Sequence, residues 1–309
     1  MHYTTYGDTN LRVSVAGLGA GGFSRLGLGT GGSQADAVAV VHAALDRGIN
    51  LIDTAAAYGT EEVVGKAIGG LDRSQLVLAT KAGFGRGPDR VPPETVIASL
   101  DRSLRLLGTD YIDIFQIHAV SPERYDWVHG ELVPALLREK AKGKFRHLGI
   151  TETPPFDPGH AMLQRAIPDG CWESVMVAFH MLHQNARAGV FPATTAAGVG
   201  TMLMFVVRGI FAQPERLSAT LAELRLPELD FLVHPGGAHD MVDAAYRFAR
   251  YETGVDVVLF GTGSVDHVHR NVESLLKPPL PEEDVARLRA VYGHVVGVGL
   301  DVPTRPKPA

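Results

Sequence analysis

In Gly48-Ile-Asn-Leu-Ile-Asp-Thr-Ala-Ala-Ala-Tyr-Gly59 a short apolar run ends in an acid, and a tyrosine follows on the turn before the next helix. Ile49, Leu51 and Ile52 fit a strand buried on both faces, as in a parallel sheet, and Asp53 then falls at the carboxyl edge of that sheet. Two readings of Asp53 and Tyr58 remain open at this point. They are either paired chemistry at a strand end or a helix cap beside a packed surface tyrosine.

Working outward, the same alternation repeats along the chain. Val13-Ser-Val-Ala-Gly-Leu-Gly19 predicts a strand, and a helix follows with Val38, Val41 and Leu45 on one face. After the Ile49 to Asp53 strand comes a helix through Val63, Val64 and Ile68, then a strand at Leu76 to Thr80. A helix from Pro92 shows Ile97, Leu100, Leu104 and Leu107. Tyr111 to Ile117 is the next strand, a helix through Leu132, Leu136 and Leu137 follows, and Phe145 to Ile150 continues the series. Further strands are expected at 174–179, 201–206 and 255–260. Eight strand and helix repeats with no proline-rich or charged linker between halves predict an α/β fold, a single (β/α)8 TIM barrel spanning 1–309. Segment 208–235 reads as an inserted loop, and 293–309 as a C-terminal tail. Both are expected to border the binding face, beside a glycine-rich segment near the N-terminus.

With 309 residues, 45% hydrophobic and 20% charged, the chain can bury a large core. Its formal net charge of −5 gives no basic footprint, which disfavours nucleic acid or an anionic membrane surface as partner and favours a small-molecule substrate. Met1 to Ser14 lacks the features of a signal peptide and no apolar run reaches bilayer length, so a cytoplasmic location is expected. Cys171, the only cysteine, rules out an internal disulfide and reads as a structural thiol beside Trp172.

One motif misleads. Gly17-Leu-Gly-Ala-Gly-Gly22 matches the dinucleotide fingerprint after a strand, with Asp36 near the spacing of a ribose-binding acid. That fingerprint works only where a helix begins at the motif, and further glycines follow through Gly32 instead. A loop over the catalytic face is the expected reading.

If the barrel is right, residues just after each strand share one face. Asp53 and Tyr58 follow the second strand, Lys81 the third and His118 the fourth. A phenol titrates near 10 and donates a proton poorly at neutral pH unless a cation stabilises its anion. Lys81 supplies that cation and Asp53 fixes it, while His118 is placed to hydrogen-bond a carbonyl oxygen and steer it to Tyr58.

With these residues in view, the chain resembles the aldo-keto reductase family, with a softer likeness to its aldose and galactose dehydrogenase branch. The matching motifs are Gly48 to Gly59, Ala79-Thr-Lys81, Tyr111-Ile-Asp-Ile-Phe-Gln-Ile-His118, Gly143-Lys-Phe-Arg-His-Leu-Gly-Ile150, and Phe260-Gly-Thr-Gly-Ser264 through Asn271. The resemblance implies a barrel that binds NAD(P)(H) without a Rossmann domain. It implies Asp53, Tyr58, Lys81 and His118 as catalytic residues, with Tyr58 as acid in reduction and base in oxidation.

At the other end of the expected cofactor site, Gly261-Thr262-Gly263-Ser264 opens a helix whose free amides and dipole favour an anion. His267, Arg270 and Asn271 lie on its first turns; the resemblance implies that this segment grips the adenosine phosphate, so its two potentially cationic side chains favour NADP(H) over NAD(H). The resemblance adds Gly22, Thr151, Phe205 beneath the nicotinamide ring, and Arg208 at a pyrophosphate-contacting turn. Thr151-Glu152 stands where many relatives have Ser-Asn, and Met176 where they have Gln, so the nicotinamide carboxamide loses partners. Phe84, Trp127 and His129 are expected to border the substrate pocket. His267-x-His269 does not make a metal pair, because the two side chains point apart on a helix. The resulting expectation is reduction of an aldehyde or ketone. The alternatives are oxidation of an aldose or similar alcohol, a cofactor-sensing binding subunit with little turnover, and a metal-dependent barrel hydrolase.

Overall fold

The computed structural model describes residues 1–85 and 90–301. Eight parallel strands close into a barrel: β3 (Ala16–Gly19), β4 (Leu51–Asp53), β5 (Val77–Ala82), β6 (Ile112–Val120), β7 (Phe145–Glu152), β8 (Ser174–Ala178), β9 (Gly200–Met204) and β10 (Val257–Phe260), with β10 returning to β3. Helices cover the outside, among them Gln34–Asp46, Glu61–Ile68, Pro93–Leu107, Val133–Ala141, Met241–Arg250 and Val265–Leu276. The expected (β/α)8 architecture is therefore present. Among the described residues no helix is long and apolar enough to cross a membrane.

Strand alternation sets which side chains enter the barrel. Leu51, Val77, Ala79 and Ile114 belong to the inner cluster, whereas Ile52, Leu78 and Phe115 pack in the outer layer against the helices. Two residues further along each strand, the same inward parity reaches Asp53, Lys81 and Gln116. The register holds these ends level, with Asp53 opposite Ala79 and Lys81 opposite Gln116. Pairing of β6 with β7 shifts between Ile117 and Val120, where Ala119 takes a left-handed φ of 58°. This irregularity re-aims the backbone at His118.

Three expectations need correction. The run Val13 to Gly19 is two strands. Arg12–Ser14 forms β2, which pairs antiparallel with β1 (Tyr3–Thr5), and only Ala16–Gly19 joins the barrel. Ser14 breaks the run, its hydroxyl donating to the Ala16 carbonyl and its N–H to Asn50 Oδ1, both at 2.7 Å. The hairpin has a packing role, since Tyr6, Leu11 and Val13 join Met202 and Val257 in the inner cluster.

Segment 208–235 is largely helical, with helices Arg208–Ala212 and Pro214–Glu223 and a 3-10 turn at Asp230–Leu232. Pro214 opens the second helix, and Leu217 and Leu221, one turn apart, bury its inner face. The glycine-rich segment also folds, into 3-10 turns over Arg25–Thr30. The first full helix begins only at Gln34, and Asp36 completes its capping box with Ser33, so Asp36 is committed to that helix end. Of the C-terminal tail, residues 293–301 follow the Glu282–Tyr292 helix, and 302–309 lie outside the described residues.

Candidate active site

At the carboxyl end of β4, β5 and β6 the inward-facing residues converge. Lys81 Nζ donates to both Asp53 carboxylate oxygens at 2.7 Å and to the Thr54 carbonyl at 2.8 Å. Both side chains are buried, Lys81 completely. The ammonium lies 5.0 Å from the centre of the Tyr58 ring, and His118 meets that ring edge-on at 5.6 Å. Gln116 Nε2 reaches Asp53 Oδ1 at 3.4 Å. Gln116 was not singled out in the sequence, although it sits two residues before His118 with the inward parity.

The electrostatics follow from burial. Burial works against charge on Lys81, but Asp53 and Tyr58 outweigh it and hold the ammonium above its usual range. Burial, reinforced by Lys81, pushes His118 down to about 3, so the imidazole is neutral at working pH. Tyr58 stands above the ordinary phenol value, because burial prevails over the pull of Lys81 and Arg208. Lys81 lowers the phenol as expected, through its charge and a hydrogen bond, but offsets only part of the desolvation, to which the Asp53 charge adds. Protonated Tyr58 is a hydrogen-bond donor placed beside a cation and a neutral imidazole.

Tyr58 and Asp53 line a cleft of about 640 Å³. Gly22, Phe205, Arg208, Gly261, Thr262, His267, Arg270 and Asn271, all expected at a cofactor, line it. Gly263 and Ser264, also expected there, are not among its lining residues. Ser264 caps the Val265–Leu276 helix by accepting the His267 N–H, and Thr262 Oγ1 accepts the Ser264 N–H at 3.1 Å. A Cβ on Gly263 would lie 2.5 Å from Gly27 Cα, so the glycine-rich segment touches this turn backbone to backbone. Arg270 has no ion-pair partner among the described residues and is exposed on the first turns of that helix. The guanidinium of Arg208 stacks 3.5 Å over the Phe205 ring and 5.4 Å from that of Phe23. Burial lowers Arg208 to about 10, which leaves it charged at neutral pH. Met176, Met204 and Leu259 give the cleft an apolar floor. Asp240, Met204, Leu259 and Phe23 were missed, and only Asp240 left a sequence signal, as the cap of the Met241–Arg250 helix.

Other expected residues take different places. Thr151 Oγ1 accepts the Ala119 N–H at 2.7 Å, and Thr151 does not line the cleft. Glu152 turns away from the cleft lining. It pairs with His160 Nδ1 at 2.7 Å and accepts the Ala178 N–H at 2.8 Å. Phe84 is buried against Trp127, with ring centres 5.7 Å apart and Arg124 over both, on the segments that follow β5 and β6. Phe84 and Trp127 do not line the cleft, and neither does His129. It is partly exposed, stacked on Tyr125 and 3.8 Å from Asp169, because the π-helical turn Val128–Leu132 rotates it outward. Burial raises Cys171 to about 11, so its thiol stays protonated.

Comparison with known proteins places the chain in a family. The model of the Aldo/keto reductase family matches residues 17–293. The chain belongs to that family. L-galactose dehydrogenase of Arabidopsis thaliana is 30% identical over 280 residues, 87% of this chain and 86% of the relative. The holo form of an aldo-keto reductase from Bacillus halodurans superposes with a TM-score of 0.76 at 25% identity, covering 97% of this chain and 100% of the other. An aldo/keto reductase from Klebsiella pneumoniae in complex with NADP and acetate shares the fold, with a TM-score of 0.68 at 22% identity over 94% and 95% of the two chains. This aldo-keto reductase is accordingly an oxidoreductase built on a closed eight-stranded barrel.

Proposed function

We propose that this protein transfers a hydride between NADP(H) and a small carbonyl or alcohol, with reduction of an aldehyde or ketone as the default direction. The observation that carries the reading is the buried Lys81–Asp53 pair beside Tyr58 and His118, with Asp53 and Tyr58 lining the same cleft as Gly261, Thr262, His267 and Arg270. The residues fit a nicotinamide dinucleotide. The capped helix start and Arg208 suit the pyrophosphate, while His267 and Arg270 suit a ribose phosphate. Phe205 and the apolar floor suit a flat ring. Once bound, the cofactor supplies the hydride.

The chain supplies the rest. Neutral His118 donates to the substrate carbonyl oxygen and orients it towards Tyr58. The Tyr58 hydroxyl gives its proton to that oxygen as the carbonyl carbon takes the hydride, and Lys81 stabilises the phenolate left behind. In oxidation Tyr58 accepts the alcohol proton. A second reading, oxidation of an aldose, is favoured by the likeness to L-galactose dehydrogenase over most of both chains. Both readings share the same acid-base residue.

Titration of the protein with NADPH and NADH, followed through Trp127 and Trp172 fluorescence, tests the cofactor. The expected result is preference for NADPH that weakens about tenfold or more in Arg270→Ala, the loss of one charge-assisted phosphate contact. No binding of either nucleotide would end the oxidoreductase mechanism, and equal binding would remove the NADP preference. Turnover of NADP with a sugar, and none of NADPH with any aldehyde or ketone, would select the second reading.

A further inference from the structure

The last described residues run across the catalytic face between two anchors. Gly297 N–H donates to His183 Nδ1 at 3.1 Å, and four residues later the Asp301 carbonyl accepts from Arg208 Nη2 at 2.6 Å. Between them Leu300 is buried, and Gly299 lies against His180 after β8 and Ile210 of the Arg208–Ala212 helix after β9. A Cβ there would come 2.8 Å from Ile210 Cγ2 and 3.6 Å from His180 Nε2, and its φ is +68°. Asp301 also pairs with Arg216.

Each anchor is built for its task. His183 belongs to a row of buried imidazoles, 5.1 Å from the His160 ring and 5.8 Å from that of His180, with His160 held in turn by Glu152. Accepting from Gly297 requires a bare Nδ1, hence neutral His183. Burial, with His180 and His160 as like neighbours, pushes His183 down to about 2, so the acceptor persists across working pH. His160, His180, Glu152, Asp157 and Arg208 are the titratable groups around the row. Among the described residues no His, Cys, Asp or Glu group is arranged to hold a metal ion. At the far anchor, Arg208 has a left-handed φ of 51° and Phe205 one of 69°, conformations that non-glycine residues keep only when surroundings fix them. The Phe23 and Phe205 rings and the Asp301 carbonyl do so for the guanidinium.

We propose that residues 297–301 are a strap that sets Arg208 in the cofactor cleft, and that His183 is the positioning residue from which the strap hangs. The inference rests on the cleft being the NADP(H) site. It makes a buried histidine, absent from the cleft lining, a determinant of cofactor affinity through a main-chain carbonyl.

The test is NADPH titration of wild type and four variants, combined with hydrogen exchange of peptides covering 293–301. His183→Phe keeps an aromatic ring and removes the acceptor, while His183→Asn restores an acceptor oxygen. Gly299→Val lifts the strap by collision with Ile210 and leaves His183 itself unsubstituted. Arg208→Ala removes the far anchor. The expected result is a loss of NADPH affinity of about tenfold in His183→Phe, Gly299→Val and Arg208→Ala, with recovery in His183→Asn. Exchange at Gly297 should quicken in the first two. If Arg208→Ala weakens binding and both strap variants bind as wild type does, the strap is refuted and the cofactor site stands. If wild type binds no nucleotide, both fall. Should His183→Phe fail to fold, Gly299→Val alone decides.

Discussion

The proposed catalytic cluster and the proposed cofactor turns are built differently. At the catalytic end, Asp53 and Lys81 sit on barrel strands with level registers, both buried, and the lysine donates to three oxygens. At the cofactor end the residues stand on turns after β9 and β10, and Arg270 is exposed and unpaired among the described residues. Phe205 and Arg208 there hold left-handed backbone conformations. The rigid end gains precision from the barrel, since a group whose rotamer is locked needs no reorganisation during the reaction. The looser end gains access, because a large dinucleotide must enter a cleft bordered by loops.

That contrast can be broken by experiment. The largest effect is expected for Lys81→Met, which leaves Asp53 buried without its partner. Activity should fall by about a thousandfold or more and stability by roughly 3–5 kcal/mol, read by kinetics and denaturant unfolding. Adding Asp53→Asn should restore much of the stability and none of the activity. If both returned, the pair would be structural only.

Acid should reveal the buried histidines next. His118 and His180 are lowered to about 3 and His183 to about 2, whereas unfolded histidines titrate near 6.5. Their contribution to stability is therefore complete above about pH 6.5 and is lost as pH falls towards 3, with a slope of up to about 4 kcal/mol per pH unit if all three take part. His160, raised by its partner Glu152 against the effect of burial, works in the opposite direction. Flat unfolding midpoints from pH 7 to pH 4 would contradict this burial.

A smaller effect separates the two directions of the reaction. Tyr58 lies above the usual phenol value, so oxidation, which needs the phenolate, should rise about tenfold per pH unit up to and beyond pH 10. Reduction, which needs the phenol, should stay level from neutral pH over the same range. Matching profiles would remove Tyr58 from the proton transfer. The smallest effect concerns Asp240, whose carboxylate lines the cleft while capping a helix. Asp240→Asn keeps a capping side chain and should improve NADPH binding by about twofold to fivefold, NADH less.

The catalytic end was also the more legible in sequence. Alternation along Leu51 to Asp53, Val77 to Lys81 and Ile114 to Gln116 carries its own parity, so the converging faces can be read before any packing is known. The cofactor end was readable where local chemistry speaks, as in Gly-Thr-Gly-Ser before a helix. It was opaque where long-range packing decides. Nothing near Glu152 announces that it will turn to His160, and the spacing of His129 could not foresee a π-helical turn. The hairpin hid inside an apparently continuous strand because one serine hydroxyl ends it. Leu217 and Leu221 did offer helical spacing, outweighed by the irregular residues around them.

The most direct test of the chemistry is a single-turnover experiment, following the loss of NADPH absorbance with a reactive aldehyde in wild type and Tyr58→Phe. Removing one hydroxyl should leave NADPH affinity nearly unchanged and slow hydride transfer by roughly a hundredfold to ten-thousandfold. Equal rates in the two proteins would contradict the assignment of Tyr58 as the proton donor.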